Sequence, residues 1–138
     1  MQARHSPWAT LGIFAYLASL VLPAVSFQSG ALPGIFCLLF GWFDFLPWSA
    51  NLALLAAGVL RERGNHRWAL ACSLLAIALA MTTLREVAHA NIDLGVGFFA
   101  WIGSMLALAI ASSVSIVDRE PIARARARER AQRPTVAA

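Results

Sequence analysis

Apolar positions in this chain gather into long runs broken by short polar stretches, and the runs are long enough to set the fold. A stretch of about 18 or more apolar residues with few charges reads as a membrane-spanning helix of about 20 residues. Four runs are read as such spans, at about residues 8–25, 45–60, 68–84 and 95–117, the middle two falling a little short of that length. The second is short when counted from Pro47, so the residues from Trp42 to Phe45 supply its first turn. Pro47 is tolerated there because the N–H it lacks has no partner in a first turn. The predicted fold class is all-α, an integral membrane four-helix bundle over residues 1–117, followed by a basic tail over 118–138.

The polar stretches differ in kind. Between Phe27 and Pro47, a turn at Gln28, Ser29, Gly30, Pro33 and Gly34 precedes an apolar piece from Ile35 to Phe43 that is too short to span. Pieces of that length are interfacial or re-entrant, and Phe36, Phe40, Trp42, Phe43, Phe45 and Trp48 crowd it as in a headgroup-level aromatic belt. The expected element is an interfacial aromatic segment between helices 1 and 2. Arg61 to Arg67 reads as a compact reversal, and Arg85 to Asp93 as a nearly charge-balanced loop. The first run has a second reading, a cleaved signal peptide, because Ala24-Val25-Ser26 resembles a small-residue cleavage site.

Composition sharpens this picture. The 138 residues are 59% hydrophobic and 13% charged, against roughly a quarter charged in soluble domains. All eleven basic residues are arginine, and they sit at the ends of apolar runs. That placement fits anionic lipid headgroups better than a water-exposed nucleic-acid surface, so no nucleic-acid partner is expected. Positive residues in short loops stay in the cytoplasm. The head carries one arginine, the central loop three and the tail six, whereas the Phe27–Pro47 segment carries none and the loop after the third run one. Both termini are therefore predicted to be cytoplasmic. Headgroup contacts are assigned to Arg61, Arg63 and Arg67 and to Arg124, Arg126, Arg128 and Arg130 of the tail.

In lipid, helices associate through small residues and interhelical hydrogen bonds. Small residues recur every fourth position at Ala53 and Ala57, at Ala69 and Ser73, at Ala76 and Ala80, and at Gly103, Ala107 and Ala111, the last series being the expected contact face. Asn51 is an amide well inside a run, and an amide without a partner in hydrocarbon costs several kcal/mol on transfer scales. It is expected to face another helix. Trp48, Asn51, Trp101, Gly103, Ser104, Ala107 and Ala111 are the predicted helix-packing or partner-contact residues.

Catalytic chemistry finds little support. Glu86, His89 and Asp93 would share one helix face, but a di-iron bundle needs such a set twice with two further carboxylates, and the ordinary account is a polar loop. Asp44 sits among the interfacial aromatics, where it precedes the second helix. Small four-span multidrug exporters carry a carboxylate in the first helix, and Leu11 to Leu22 contains none. Gly95 and Gly97 lack the third glycine of a dinucleotide fingerprint and read as the loose start of a helix. Cys37 and Cys72 form no C-x-x-C pair, and no disulfide between them is expected. Ser104, Ser112 and Ser113 have no base at a recognisable spacing. No metal and no cofactor are predicted.

Two phrases, Trp48-Ser49-Ala50-Asn51 and Gly95-Val96-Gly97-Phe98-Phe99-Ala100-Trp101-Ile102-Gly103-Ser104-Met105, resemble those of uncharacterised small bacterial inner-membrane proteins. The resemblance runs from about Leu11 to Val117 and implies a four-span plan in a bacterial inner membrane, with no activity to carry over. The functional expectation is a non-enzymatic accessory, assembly or interaction subunit, partnered by membrane lipids and by a larger membrane protein or further copies of itself. A small homo-oligomeric transporter or channel is the alternative, and a membrane enzyme using Glu86, His89 and Asp93 is a third reading.

Overall fold

The computed structural model describes residues 6–27, 30–90 and 93–132, with side chains described at all of these except 86, 89, 90 and 119–132. The chain is mostly helical. Helix α1 covers Pro7–Val21, with proline in its first turn. It stops because the residue before a proline is pushed out of the helical region: Leu22, preceding Pro23, has φ −72° and ψ 151°. The first apolar run was expected to stay helical to Val25, and this is corrected, since Pro23–Phe27 forms strand β1. At about 1.5 Å per residue, the 15 residues of α1 rise about 22 Å, short of the roughly 30 Å hydrocarbon core.

Strand β1 is the centre of a small sheet that the apolar pattern does not announce. It pairs antiparallel with β2, Gly30–Pro33, and with β3, Asp93–Leu94, where Val25 lies opposite Leu94 and Ser26 opposite Asp93. The sequence Ala24-Val25-Ser26 thus lies in the central strand. The sheet joins the segment after α1 to the segment before the last helix.

Helix α2, Gly34–Phe40, and a 3-10 turn at Gly41–Phe43 carry the aromatic segment. They meet α3, Phe45–Glu62, at 118°. Helix α3 ends in a Schellman cap, in which Asn65 N donates to Leu60 O at 2.9 Å, Gly64 N donates to Arg61 O at 2.9 Å, and Gly64 takes the left-handed φ of 79°. Helix α4 then runs His66–Ala90. The stretch expected to be a loop from Arg85 is therefore helical as far as Ala90, because Arg, Glu and Ala favour helix and no glycine or proline interrupts them. Helix α5 covers Val96–Gln132, so the tail as far as Gln132 continues this helix without a break.

Helix α3 packs on α4, α4 on α5, and α5 on α1. The core between α3, α4 and α5 is Ala50, Ala76, Ala80 and Met105, with Leu54, Ile77 and Trp101 packed around it. The outside is the reverse: Phe14, Leu55 and Val117 are 66%, 67% and 68% exposed. Alanine inside and bulky hydrocarbon outside inverts the pattern of a water-soluble bundle and matches the packing expected in lipid. Residues His66–Arg85 of α4 and Val96–Asp118 of α5 are each long and apolar enough to cross a membrane. The bent α2–α3 pair makes a third crossing if it is taken as one broken span.

Candidate functional site: a polar node and its two cavities

Asn51 lies on α3, two turns beyond its start, on the side that meets α5 and α1. Its Oδ1 accepts a hydrogen bond from Trp101 Nε1 of α5 at 2.9 Å and a longer one from the Tyr16 hydroxyl of α1 at 3.5 Å. Its Nδ2 donates back to Trp48 O at 3.3 Å. One amide thus links three helices that are far apart in sequence. Trp48 continues the network outward, its Nε1 donating to Leu38 O of α2 at 2.9 Å, which holds the aromatic segment against the top of α3. Each such bond across membrane helices is worth about 0.6 kcal/mol on average and up to about 1.7.

The serines near the node are occupied locally. Ser19 donates to Tyr16 O and Ser104 to Trp101 O, both at 2.6 Å. Ser112 and Ser113 donate to Leu108 O and Ala109 O. A hydroxyl bonded to its own preceding turn is neither a free nucleophile nor a donor to a neighbouring helix. Thr83 differs, since its buried Oγ1 has no hydrogen-bond partner among the described residues.

Two hollows meet at this node. One, of about 190 Å³, lies toward the sheet end beneath α2 and is bordered by Asp44, Trp48, Asn51, Thr83, Phe98 and Trp101. The other is a groove of about 660 Å³ between α1 and α3, floored by Ser104 and Leu108 of α5, running from Trp48 and Asn51 to Arg61, Glu62 and Arg63. It exists because the packing order α3, α4, α5, α1 leaves the flank between α1 and α3 unclosed.

Glycines set the close approaches. A Cβ at Gly34 would overlap the carbonyl of Ser19, and one at Gly95 the carbonyl of Pro23. At Gly97 it would stand 2.6 Å from Leu22 O. The Gly95-Val96-Gly97 stretch, expected to be a loose helix start, is where the backbone of α5 meets the backbone leading into β1. Gly12 of α1 presses on α5, where a Cβ would lie 3.2 Å from Ser104 O and 3.5 Å from the Ala107 side chain.

The predicted contact residues fall out as follows. Trp48, Asn51 and Trp101 come together at the node. Ser104, Ala107 and Ala111 are buried on α5, with Ser104 and Ala107 under Gly12. Gly103 is apart from them, since a Cβ there would meet nothing within 4 Å. A four-residue stride turns about 40° per step on a helix of 3.6 residues per turn, which carries Gly103 off the face that Ala111 occupies. Arg61 and Arg63 border the groove mouth, and Arg67 is exposed near the start of α4. The side chains of Arg124, Arg126, Arg128 and Arg130 lie outside the described residues, as do those of Glu86 and His89. Asp44 takes the position before α3 without a side-chain capping bond. Cys37 and Cys72 are both free, on α2 and near the start of α4. No group of three potential metal ligands occurs among the described residues.

Sequence reasoning missed Tyr16 and Gly12. Tyr16 is the chain's one tyrosine, a hydroxyl in the middle of an apolar run, and that was the signal available. Gly12 offered none, because a lone glycine in an apolar run reads the same whether or not a helix leans on it. Compared with protein-family models, curated proteins and solved structures, the chain matches none.

Proposed function

We propose that this chain is a four-span inner-membrane protein with both termini in the cytoplasm, acting without catalysis as an accessory, assembly or interaction subunit of a larger membrane complex. In this reading α1, α3, α4 and α5 are the spans, the arginine-bearing reversal at Gly64 is cytoplasmic, and the three-stranded sheet and α2 lie at the outer face. The observation that carries the interaction reading is the aromatic segment. Phe36, Phe40, Trp42 and Phe43 are all exposed on a short piece of chain turned 118° from α3 and fastened by the Trp48 to Leu38 bond. A fixed, outward-facing cluster of aromatic side chains is the kind of surface that anchors protein interfaces.

The test is recovery from native membranes in mild detergent. The wild-type chain is expected to bring down a stoichiometric membrane partner, and Phe40→Ala with Trp42→Ala and Phe43→Ala to lose it. Recovery of the chain alone from native membranes would overturn the reading. The hollow at Asn51, with the Thr83 hydroxyl, unpartnered among the described residues, on its wall, favours a second reading, a small homo-oligomeric transporter or channel. That reading requires a continuous polar path. Cysteines placed along α3 from Asn51 to Gly58 would then react with a water-soluble thiol reagent, and their protection would remove it.

A further inference from the structure

Helix α5 is longer than the bundle it closes. It runs 37 residues, against 25 in α4, 18 in α3 and 15 in α1. Helices α4 and α5 pack on one another, and α4 ends at Ala90 where α5 begins at Val96, so the two are level at the sheet. The excess length of α5 therefore projects past the other end of the bundle, as roughly the last twelve residues of the helix, about 18 Å at 1.5 Å per residue. The membrane-spanning part of α5 ends at Asp118. Beyond it, as far as Gln132, the helix holds Arg119, Arg124, Arg126, Arg128 and Arg130 against Glu120 and Glu129, five positive charges to two negative.

Distance divides these arginines into two groups. Measured from Asp118 with a tilt of about 20°, Arg124 stands about 8 Å out, Arg128 about 14 Å and Arg130 about 17 Å. The headgroup layer accounts for roughly 6 Å of each. Arg119 and Arg124 thus stay among the headgroups, whereas Arg128 and Arg130 lie at or beyond the Debye length of about 8 Å, past which the attraction of anionic lipid has faded. The segment has no face on which to lie flat, because at about 100° per residue Arg128 falls on the opposite side from Arg126 and Arg130, and an interfacial helix needs an apolar side. A second copy would bring the same positive charge alongside. Nucleic acid is disfavoured too, since binding it draws on some 6–10 phosphate contacts, and Glu129 interrupts an outer group of only three arginines. A protein surface can answer charges of both signs.

We infer that the outer end of α5 is a docking post for a carboxylate-rich surface of a cytoplasmic protein, with Arg126 and Arg130 on the recognising side. The cytoplasmic address rests on the four-span, termini-inside reading given above. Arg126 and Arg130 are four residues apart on one helix face, a spacing of about 5–6 Å, and arginine is the residue suited to paired recognition of carboxylates. The helix holds the two in register before any partner arrives, so little ordering cost falls on the contact. This hold is separate from the aromatic segment, which lies at the other end of the bundle.

The full-length chain in nanodiscs of neutral lipid, titrated with a fluorescent glutamate–alanine peptide and separately with polyuridylate, tests this. The wild-type chain is expected to bind the peptide. Arg126→Gln with Arg130→Gln, which keeps helix propensity, should weaken binding about five- to tenfold, the effect of losing two exposed ion pairs. Arg119→Gln with Arg124→Gln, nearer the bilayer, should weaken it less than about twofold. Equal weakening by the two pairs, no peptide binding by the wild type, or tighter binding of polyuridylate would each overturn the inference. The projection is read independently from a nitroxide at Ala131→Cys in a chain carrying Cys37→Ser and Cys72→Ser. It should be equally open to a water-soluble nickel chelate in neutral and in anionic discs, and shielding in anionic discs that salt relieves would return the segment to the headgroups. A reporter after Ala138 found on the far side of the membrane would instead strike the cytoplasmic address, and with it the topology reading, while leaving the projection in place.

Discussion

Replacing Asn51 with leucine keeps the branched outline of the side chain, adds bulk that the adjoining hollows can take, and removes its amide, so the cost falls on hydrogen bonds more than on packing. The good bond is from Trp101 Nε1 at 2.9 Å, whereas the Tyr16 hydroxyl at 3.5 Å is at the limit of a useful geometry. With one well-formed bond between membrane helices worth about 0.6 to 1.7 kcal/mol, and the indole N–H of Trp101 left beside an apolar hollow, Asn51→Leu is expected to destabilise the bundle by about 1–2 kcal/mol. A double-mutant cycle isolates the pair. Asn51→Leu and Trp101→Phe, made singly and together and unfolded by SDS titration in mixed micelles, should show a coupling of about 1 kcal/mol. The corresponding cycle with Tyr16→Phe should show a much smaller one. Additivity within about 0.3 kcal/mol for the Trp101 pair, the level expected of independent sites, would refute the claim that this bond ties α3 to α5. A larger coupling for Tyr16 than for Trp101 would refute the ranking drawn from the distances.

Three further expectations concern the glycines and the arginines. Gly97→Ala should destabilise the chain in the same titration because its Cβ would crowd the Leu22 carbonyl, whereas Gly103→Ala, facing open space, should stabilise it by about 0.5–1 kcal/mol through helix propensity; effects of the same sign would defeat the packing argument. Gly64→Ala forces a side chain into the left-handed conformation and should cost about 1–2 kcal/mol, with Gly64→Asn costing less; a silent Gly64→Ala would mean that the α3–α4 turn is not the cap described. A reporter fused after Ala138 should be active only in its cytoplasmic form, given one, three and six arginines in the head, central loop and tail; periplasmic activity would reverse the topology.

What was legible in the sequence follows from which forces act locally. A lone amide in an apolar run needs a partner, so the inward placement of Asn51 could be argued from one residue. That the partners would be Trp101 and Tyr16 could not, because nothing within a helix tells which neighbour it will meet. The reversal at Arg61–Arg67 was readable from its charges, and its glycine supplies the cap. The sheet was not readable. Its strands are two to five residues long, too short to show alternation, and β1 acquires its second partner only when Val25 meets Leu94, far along the chain. Gly95 and Gly97 misled for the same reason: the small size that suggested slackness is required by a carbonyl belonging to a different part of the chain.

The seating of Gly12 against Ser104 and Ala107 also fixes an order of assembly. Helix α1 has its main packing partner in α5, with about 90 residues between Gly12 and Ser104. At roughly 5–20 residues per second of synthesis, α1 waits on the order of 5–20 s before α5 arrives. Throughout that interval the Gly12 face lacks the partner it meets in the finished fold, whereas the Tyr16 hydroxyl has its acceptor, Asn51, already made. The bundle is therefore closed by the pairing of α1 with α5. A chain halted after α4 would hold the α3–α4 hairpin with the Gly12 face of α1 still uncovered.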